Sequence, residues 1–125
     1  MRTEKLFEHE VATIKLLAGA DLSALKDTFV MCDAAGDVIA ATAGLVALGV
    51  LQNAPTTGLE AIVQISGICV VNAEEALSAM DVLMVGTAAG ALIATSTDFP
   101  VGFAVEDSLI STDVRIMLKN VTVLA

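Results

Sequence analysis

The feature that most constrains this chain is a stretch that occurs twice. Residues 27–42 read DTFVMCDAAGDVIAAT, and residues 81–96 read DVLMVGTAAGALIATS, an offset of 54 positions. The shared frame is an apolar run, then Ala-Ala-Gly, then a second apolar run. Ala34-Ala35-Gly36 lies over Ala88-Ala89-Gly90, and Val38-Ile39-Ala40 over Leu92-Ile93-Ala94. After deletion of one residue the match continues, with Gly49-Val50-Leu51 over Gly102-Phe103-Ala104 and residues 60–65 over residues 113–118. Self-similarity of this length fixes the plan of a fold before any local reading. Two copies are too few for a solenoid. The pattern therefore predicts a single domain over residues 11–125, built from two related halves with repeats at 27–65 and 81–118.

Each half reads as strands. Two short apolar runs joined by a glycine-containing link are a hairpin signal, because glycine accepts the positive φ of a tight turn. Short runs, β-branched residues and repeated glycine favour strand over buried helix, which periodicity alone does not separate. In chain order, residues 11–17 (VATIKLL) predict a first strand, followed by one helical turn at residues 22–25. After the first hairpin comes a strand at residues 44–51, where Gly49 allows a bulge or a close backbone approach. The loop QNAPTTG at residues 52–58 follows, marked by Pro55. Residues 59–71 are long for one strand, and Ser66-Gly67 predicts a bend. Residues 72–77 are polar and predict the link between halves. The second half repeats the plan: a hairpin at 82–94, a strand at 101–105, an acidic loop and a strand at 113–119, with 121–124 as a further edge strand or tail. Eight to ten short strands with turn residues between them predict an all-β barrel or sandwich.

Composition narrows the function. The chain is 56% hydrophobic but only 3% aromatic, with neither Trp nor Tyr. So much small apolar surface on 125 residues predicts burial against other subunits, a homo-oligomer and not a monomer. Six basic residues face fifteen acidic ones, for a net charge of −9. From Asp27 to Asp113 there is no Lys or Arg, which argues against nucleic acid, since phosphate binding requires cations. Polar residues interrupt the uncharged run at 38–59, and its apolar part, residues 46–51, fits a strand and not a bilayer span of about 20 residues. The start MRTEKLFEHE carries acids where a secretory signal has an apolar segment. A soluble protein made in the cytoplasm is the expectation.

Little in the sequence points to chemistry. His9 is the only histidine, placed between Glu8 and Glu10, and sequence neighbours do not share a face of a helix or strand. Cys32 and Cys69 are far apart, lack zinc-ligand spacing, and sit in apolar runs where a thiol packs as a small hydrophobe. Asp33 and Asp37 are explained by turn chemistry. Neither they nor Glu106-Asp107 supply the roughly six to eight oxygens that calcium requires. The glycine-rich run at residues 86–90 lacks the Lys-Ser or Lys-Thr of a phosphate loop. No catalytic residue, cofactor or metal site is expected. Residues 1–10 are highly charged and read equally as a frayed tail or as an arm that orders against a partner, with Arg2, Lys5, Leu6 and Phe7 as the candidates for reaching it.

The second half, with GALIAT followed by FPVGFAVEDS and DVRIMLKN, resembles the small decoration, or cement, proteins of tailed-phage capsids. The resemblance rests on Leu92–Thr95, Val101-Gly102-Phe103-Ala104-Val105, Glu106-Asp107-Ser108 and residues 114–119. Leu48-Gly49-Val50-Leu51 and residues 62–67 carry it in the first half. It implies a compact β-barrel on the outer surface of an icosahedral virion, often a trimer, which bridges major capsid subunits and performs no chemistry. The arm at residues 1–10 and the extension at residues 121–125 depart from that pattern. Two alternatives are another self-assembling β-barrel module from a tail or shell, and a small apolar-ligand carrier with an interior lined by Phe29, Met31, Met84 and Phe103.

Overall fold

The computed structural model describes residues 12–94 and 99–118, which form nine strands and no helix. In chain order these are β1 (Ala12–Leu17), β2 (Phe29–Cys32), β3 (Val38–Ala40), β4 (Gly49–Leu51), β5 (Glu60–Asn72), β6 (Val82–Val85), β7 (Ala91–Ile93), β8 (Gly102–Ala104) and β9 (Asp113–Leu118). Every strand pair is antiparallel. The path runs β3-β2-β4-β5-β9-β8-β6-β7, with β1 added against β5. It curls into a half-barrel whose end strands, β3 and β7, do not pair with each other among the described residues. The predicted all-β class holds. Two local expectations do not. The strand expected over 44–51 is confined to Gly49–Leu51, and residues 22–25 make one turn, closed by the Leu25 N–H on the Leu22 carbonyl at 3.0 Å.

β5 explains the architecture. Its first part pairs with β1 and β4, and its second part, from Gly67, pairs with β9. The long strand is thus the last strand of one five-stranded unit and the first strand of the next. The order is β1-β5-β4-β2-β3 in the N-terminal unit and β5-β9-β8-β6-β7 in the C-terminal unit. Each unit curls until its first and third strands meet in a parallel bridge, Ala18 with Val38 and Ala73 with Ala91. Gly67 turns the strand at φ 87°, the bend that Ser66-Gly67 predicts. The buried Gln64 side chain holds it there, donating through Nε2 to the carbonyls of Ser66 and Ile68, both at 2.9 Å.

The pairing corrects the register read from sequence. Val30–Ala40, Met31–Ile39 and Cys32–Val38 in the first hairpin recur as Leu83–Ile93, Met84–Leu92 and Val85–Ala91 in the second. Phe29–Val50 recurs as Val82–Phe103. Across these strands the offset is 53 with no deletion, whereas residues 18–22 stand 55 positions before their counterparts. Left-handed backbone follows the same spacing: Asp27 and Met80, Gly36 and Ala89, Gly58 and Ser111 all have positive φ. Aligning the two Ala-Ala-Gly triplets shifts the frame by one, because Ala89, not Gly90, takes the role of Gly36. Nor do residues 72–77 link two halves. Ala73 and Leu77 repeat Ala18 and Leu22: the Ala18 and Ala73 amides donate to the carbonyls of Leu59 and Thr112, both at 2.8 Å.

The cores are equivalent as well. Ala18, Leu22, Val30, Val38, Leu51, Ala61 and Val63 fill the N-terminal unit. Their counterparts Ala73, Leu77, Leu83, Ala91, Ala104, Val114 and Ile116 belong to the second cluster. Small-for-large and large-for-small exchanges nearly cancel between the sets, as a fixed backbone envelope requires. The second cluster also takes in Phe29 and Val50 of the first unit. Phe29 donates its N–H to the Ala89 carbonyl at 2.8 Å and Gly44 to the Val85 carbonyl at 2.9 Å. The units therefore share one continuous apolar joint.

Candidate functional site

Where the two units face each other, equivalent segments line a cleft of about 540 Å³. Val46, Ala47, Leu48 and Gly49 come from the approach to β4, and Phe99, Pro100 and Val101 from the approach to β8. Ile65 and Leu118, which occupy the same register position on β5 and β9, complete it with Ser66. Gly49 and Gly102 bring β4 against β5 and β8 against β9 so closely that an added Cβ would fall 2.1 Å from the Gln64 carbonyl oxygen and 1.9 Å from that of Met117. Gly49 thus makes the close approach that its sequence context predicts, and the equivalent Gly102 does the same. Val46 and Phe99 stay more than half exposed at the rim. A shallower depression of about 380 Å³ adjoins it, lined by Met31, Cys32, Val46, Ala47 and Leu48.

Among the described residues the lining is mainly apolar, with Ser66 its polar side chain and no ionisable group. Such a surface favours binding by excluding water from apolar area. Of the residues expected to line a carrier's interior, Phe29 is fully buried in the core. Met84 and Phe103 line neither depression, and Met31 lines only the shallower one.

Several ionisable groups are spent on the fold. Glu106 accepts from Arg115 Nη2 at 3.0 Å and from the Arg115 amide at 2.9 Å, which hold its carboxyl below the ordinary range. Asp21 is lowered by its bonds with Ser23. Asp33 accepts from the Ala35 and Asp37 amides at 2.9 and 3.0 Å, the turn chemistry its sequence context predicts. Asp107 caps the Ala79 amide at 2.8 Å. Among the described residues no group of three or more His, Cys, Asp or Glu is placed to hold a metal. Cys32 and Cys69 are free thiols with different fates. Cys69 is buried and its thiol is pushed up to about 12 by desolvation, aided by the Asp27 charge. Cys32 is exposed, contrary to the packed role its apolar run predicts. It ends β2 on the outward side, where the equivalent Val85 is buried by the joint.

Arg2, Lys5, Leu6, Phe7 and His9, like the strand or tail expected at residues 121–124, lie outside the described residues. Sequence reasoning missed the cleft, although the signal is present as the pair of segments VALG and FPVG that share a frame at an offset of 53.

The chain folds as a half-barrel of two equivalent units with a cleft between them. The fold has a solved counterpart. The chain is similar to the N base of the head fiber protein gp8.5 of bacteriophage phi29, with a TM-score of 0.69, 16% identity, and coverage of 92% of this chain and 99% of that one. No protein-family model and no curated protein matches the sequence.

Proposed function

We propose that this protein is a structural component of a phage head, a decoration subunit on the outer face of an icosahedral shell that bridges major capsid subunits. The observation that carries this reading is the likeness of fold to the phi29 head fiber base over nearly the whole of both chains. The sequence resemblance to capsid cement proteins also supports a place on a phage head. The surface suits the role. Decoration stabilises by adding contact area, with free energy that follows occupancy by mass action. Acidic loops on a body with no lysine or arginine from Asp27 to Asp113 keep it off packaged nucleic acid. On this reading it acts without cofactor or catalysis, and as a trimer.

The test is cosedimentation of purified protein with expanded, undecorated heads, together with its mass in solution. Saturable binding that raises the melting temperature of the heads is expected, from a trimer. A stable large oligomer that ignores heads would refute decoration and favour another self-assembling module. The apolar cleft between the units, ready to take an apolar segment of a neighbouring subunit, is what favours that second reading.

A further inference from the structure

The two units provide an internal control. What the backbone requires should appear in both, and what only one unit carries needs another explanation. The loop ends of the units differ in this way at three positions, although the first unit exposes Leu59 where the second has Thr112. In the C-terminal unit the turn at residues 78–81 lies beside the loop at residues 106–112. Leu77 and Ser108 exchange N–H to carbonyl bonds at 3.0 and 2.9 Å, and the Met80 amide donates to the Ala104 carbonyl at 2.7 Å. Three large apolar side chains project from this end: Leu109, Ile110 and Met80, 72%, 60% and 68% exposed. At the equivalent positions the N-terminal unit carries Thr56, Thr57 and Asp27.

Met80 adds an independent observation. Its φ is 76°, in the left-handed region that favours Gly, Asn and Asp and penalises long side chains. Asp27 holds the same place in the first unit at φ 68°. A methionine in that region with most of its side chain exposed gains little from its own fold to offset the strain. The charge also differs. Asp81, Glu106, Asp107 and Asp113 surround this end, where the first unit has Thr28, Asn53, Ala54 and Glu60.

We propose that this end, with Met80, Leu109 and Ile110 at its centre and the four carboxylates at its rim, is the surface by which the protein docks. Its occupant is a shell protein presenting an apolar depression bordered by lysines and arginines. The proposal rests on the phage-head reading and deepens it by saying which face meets the shell. Charge complementarity selects the partner, because an acidic rim around an apolar centre excludes a like-charged surface and steers a basic one. A second copy is the alternative that the mass of the variants tests. Of the cations among the described residues, Arg115 is already held by Glu106, and Lys15 and Lys26 stand apart on β1 and on the turn before β2.

The experiment transplants the first unit's residues into the second and reads binding to expanded, undecorated heads. Leu109→Thr with Ile110→Thr should weaken binding at least tenfold while the melting temperature of the free protein stays within a few degrees. Met80→Asn should raise that melting temperature yet weaken binding severalfold, a combination that a purely structural role does not give. Asp113→Lys should weaken binding at low salt and lose its effect at high salt, where charges are screened within about 3 Å at 1 M. The control, Thr56→Leu with Thr57→Ile, should leave binding unchanged. Wild-type affinity in the double threonine variant overturns the proposal and leaves the phage-head reading standing. A variant that instead changes the mass of the free protein overturns it in favour of a contact between copies. Failure of the wild type itself to bind heads overturns both.

Discussion

The two hairpin turns achieve one hydrogen-bonding result with opposite arrangements, and exchanging them tests the equivalence of the units directly. In the first turn Asp33 caps its own hairpin, accepting from the Ala35 and Asp37 amides at 2.9 and 3.0 Å. Gly19 leaves the room, since a Cβ there would sit 2.9 Å from Asp33 Oδ2. In the second turn the equivalent amides, those of Ala88 and Gly90, donate to Glu74 Oε2 at 2.9 and 2.7 Å. Glu74 occupies the position of Gly19, and Gly86 that of Asp33, where a Cβ would lie 2.5 to 2.6 Å from the Glu74 carboxylate. One carboxylate and one glycine have changed places.

Glu74→Gly removes the acceptor of two amides and of the Thr87 hydroxyl at 3.2 Å. Bonds to a charged group are worth about 1.5–3 kcal/mol each, but groups at the surface recover much of that from water, so about 1–2 kcal/mol is lost in all. The new glycine adds about 0.5–1 kcal/mol through chain entropy. Gly86→Asp alone forces a side chain against an occupied site and sets two carboxylates together, costing about 1–3 kcal/mol. In the double variant the aspartate introduced in place of Gly86 takes the cap that Asp33 takes in the first turn, and the space it needs is vacated. The double variant should therefore be more stable than the sum of the singles predicts by about 2 kcal/mol, within the range for residues in contact. Urea unfolding with unchanged slope is the assay. Additivity within about 0.5 kcal/mol, the ordinary result for independent sites, would refute the reasoning.

Gly49→Ala and Gly102→Ala should each destabilise by about 3 kcal/mol or more, because the clash is with a carbonyl of the paired strand and not with a movable side chain; thermal melts of both variants check this. In native protein a thiol reagent at pH 8 should modify Cys32 and spare Cys69, and denaturant should release the second thiol. Equal native reactivity would contradict the burial that pushes Cys69 up to about 12. Glu106 should titrate below the ordinary glutamate range by carboxyl NMR and rise part of the way back in Arg115→Leu, which removes the guanidinium but keeps the amide at 115. Its folded value is depressed, so whatever stability the pair contributes is present above the unfolded value and lost as pH falls through the folded one.

The strand plan was readable because each strand is short, apolar and bounded by turn residues, and the thirteen-residue β5 announced its bend through Ser66-Gly67. The register was not, and the reason is physical. Ala-Ala-Gly is conspicuous as letters, but a turn is defined by which residue adopts positive φ, and Ala89 does so where Gly36 does. Identity of residue type and identity of backbone role separate there by one position. The joint was hidden for a related cause. Polar residues at 72–77 look like a linker, yet Glu74 is polar because it caps a turn far along the chain and Ala73 is small because a strand crosses it. The real junction lies inside a strand, held by Gln64, whose equivalent on β9 is Met117. A polar residue where its counterpart is apolar marks the place where the chain leaves one unit to begin another. The same comparison, applied outward, separates the surfaces. Positions alike in both units report what the backbone needs, and the apolar Met80, Leu109 and Ile110 opposite Asp27, Thr56 and Thr57 report what lies beyond it.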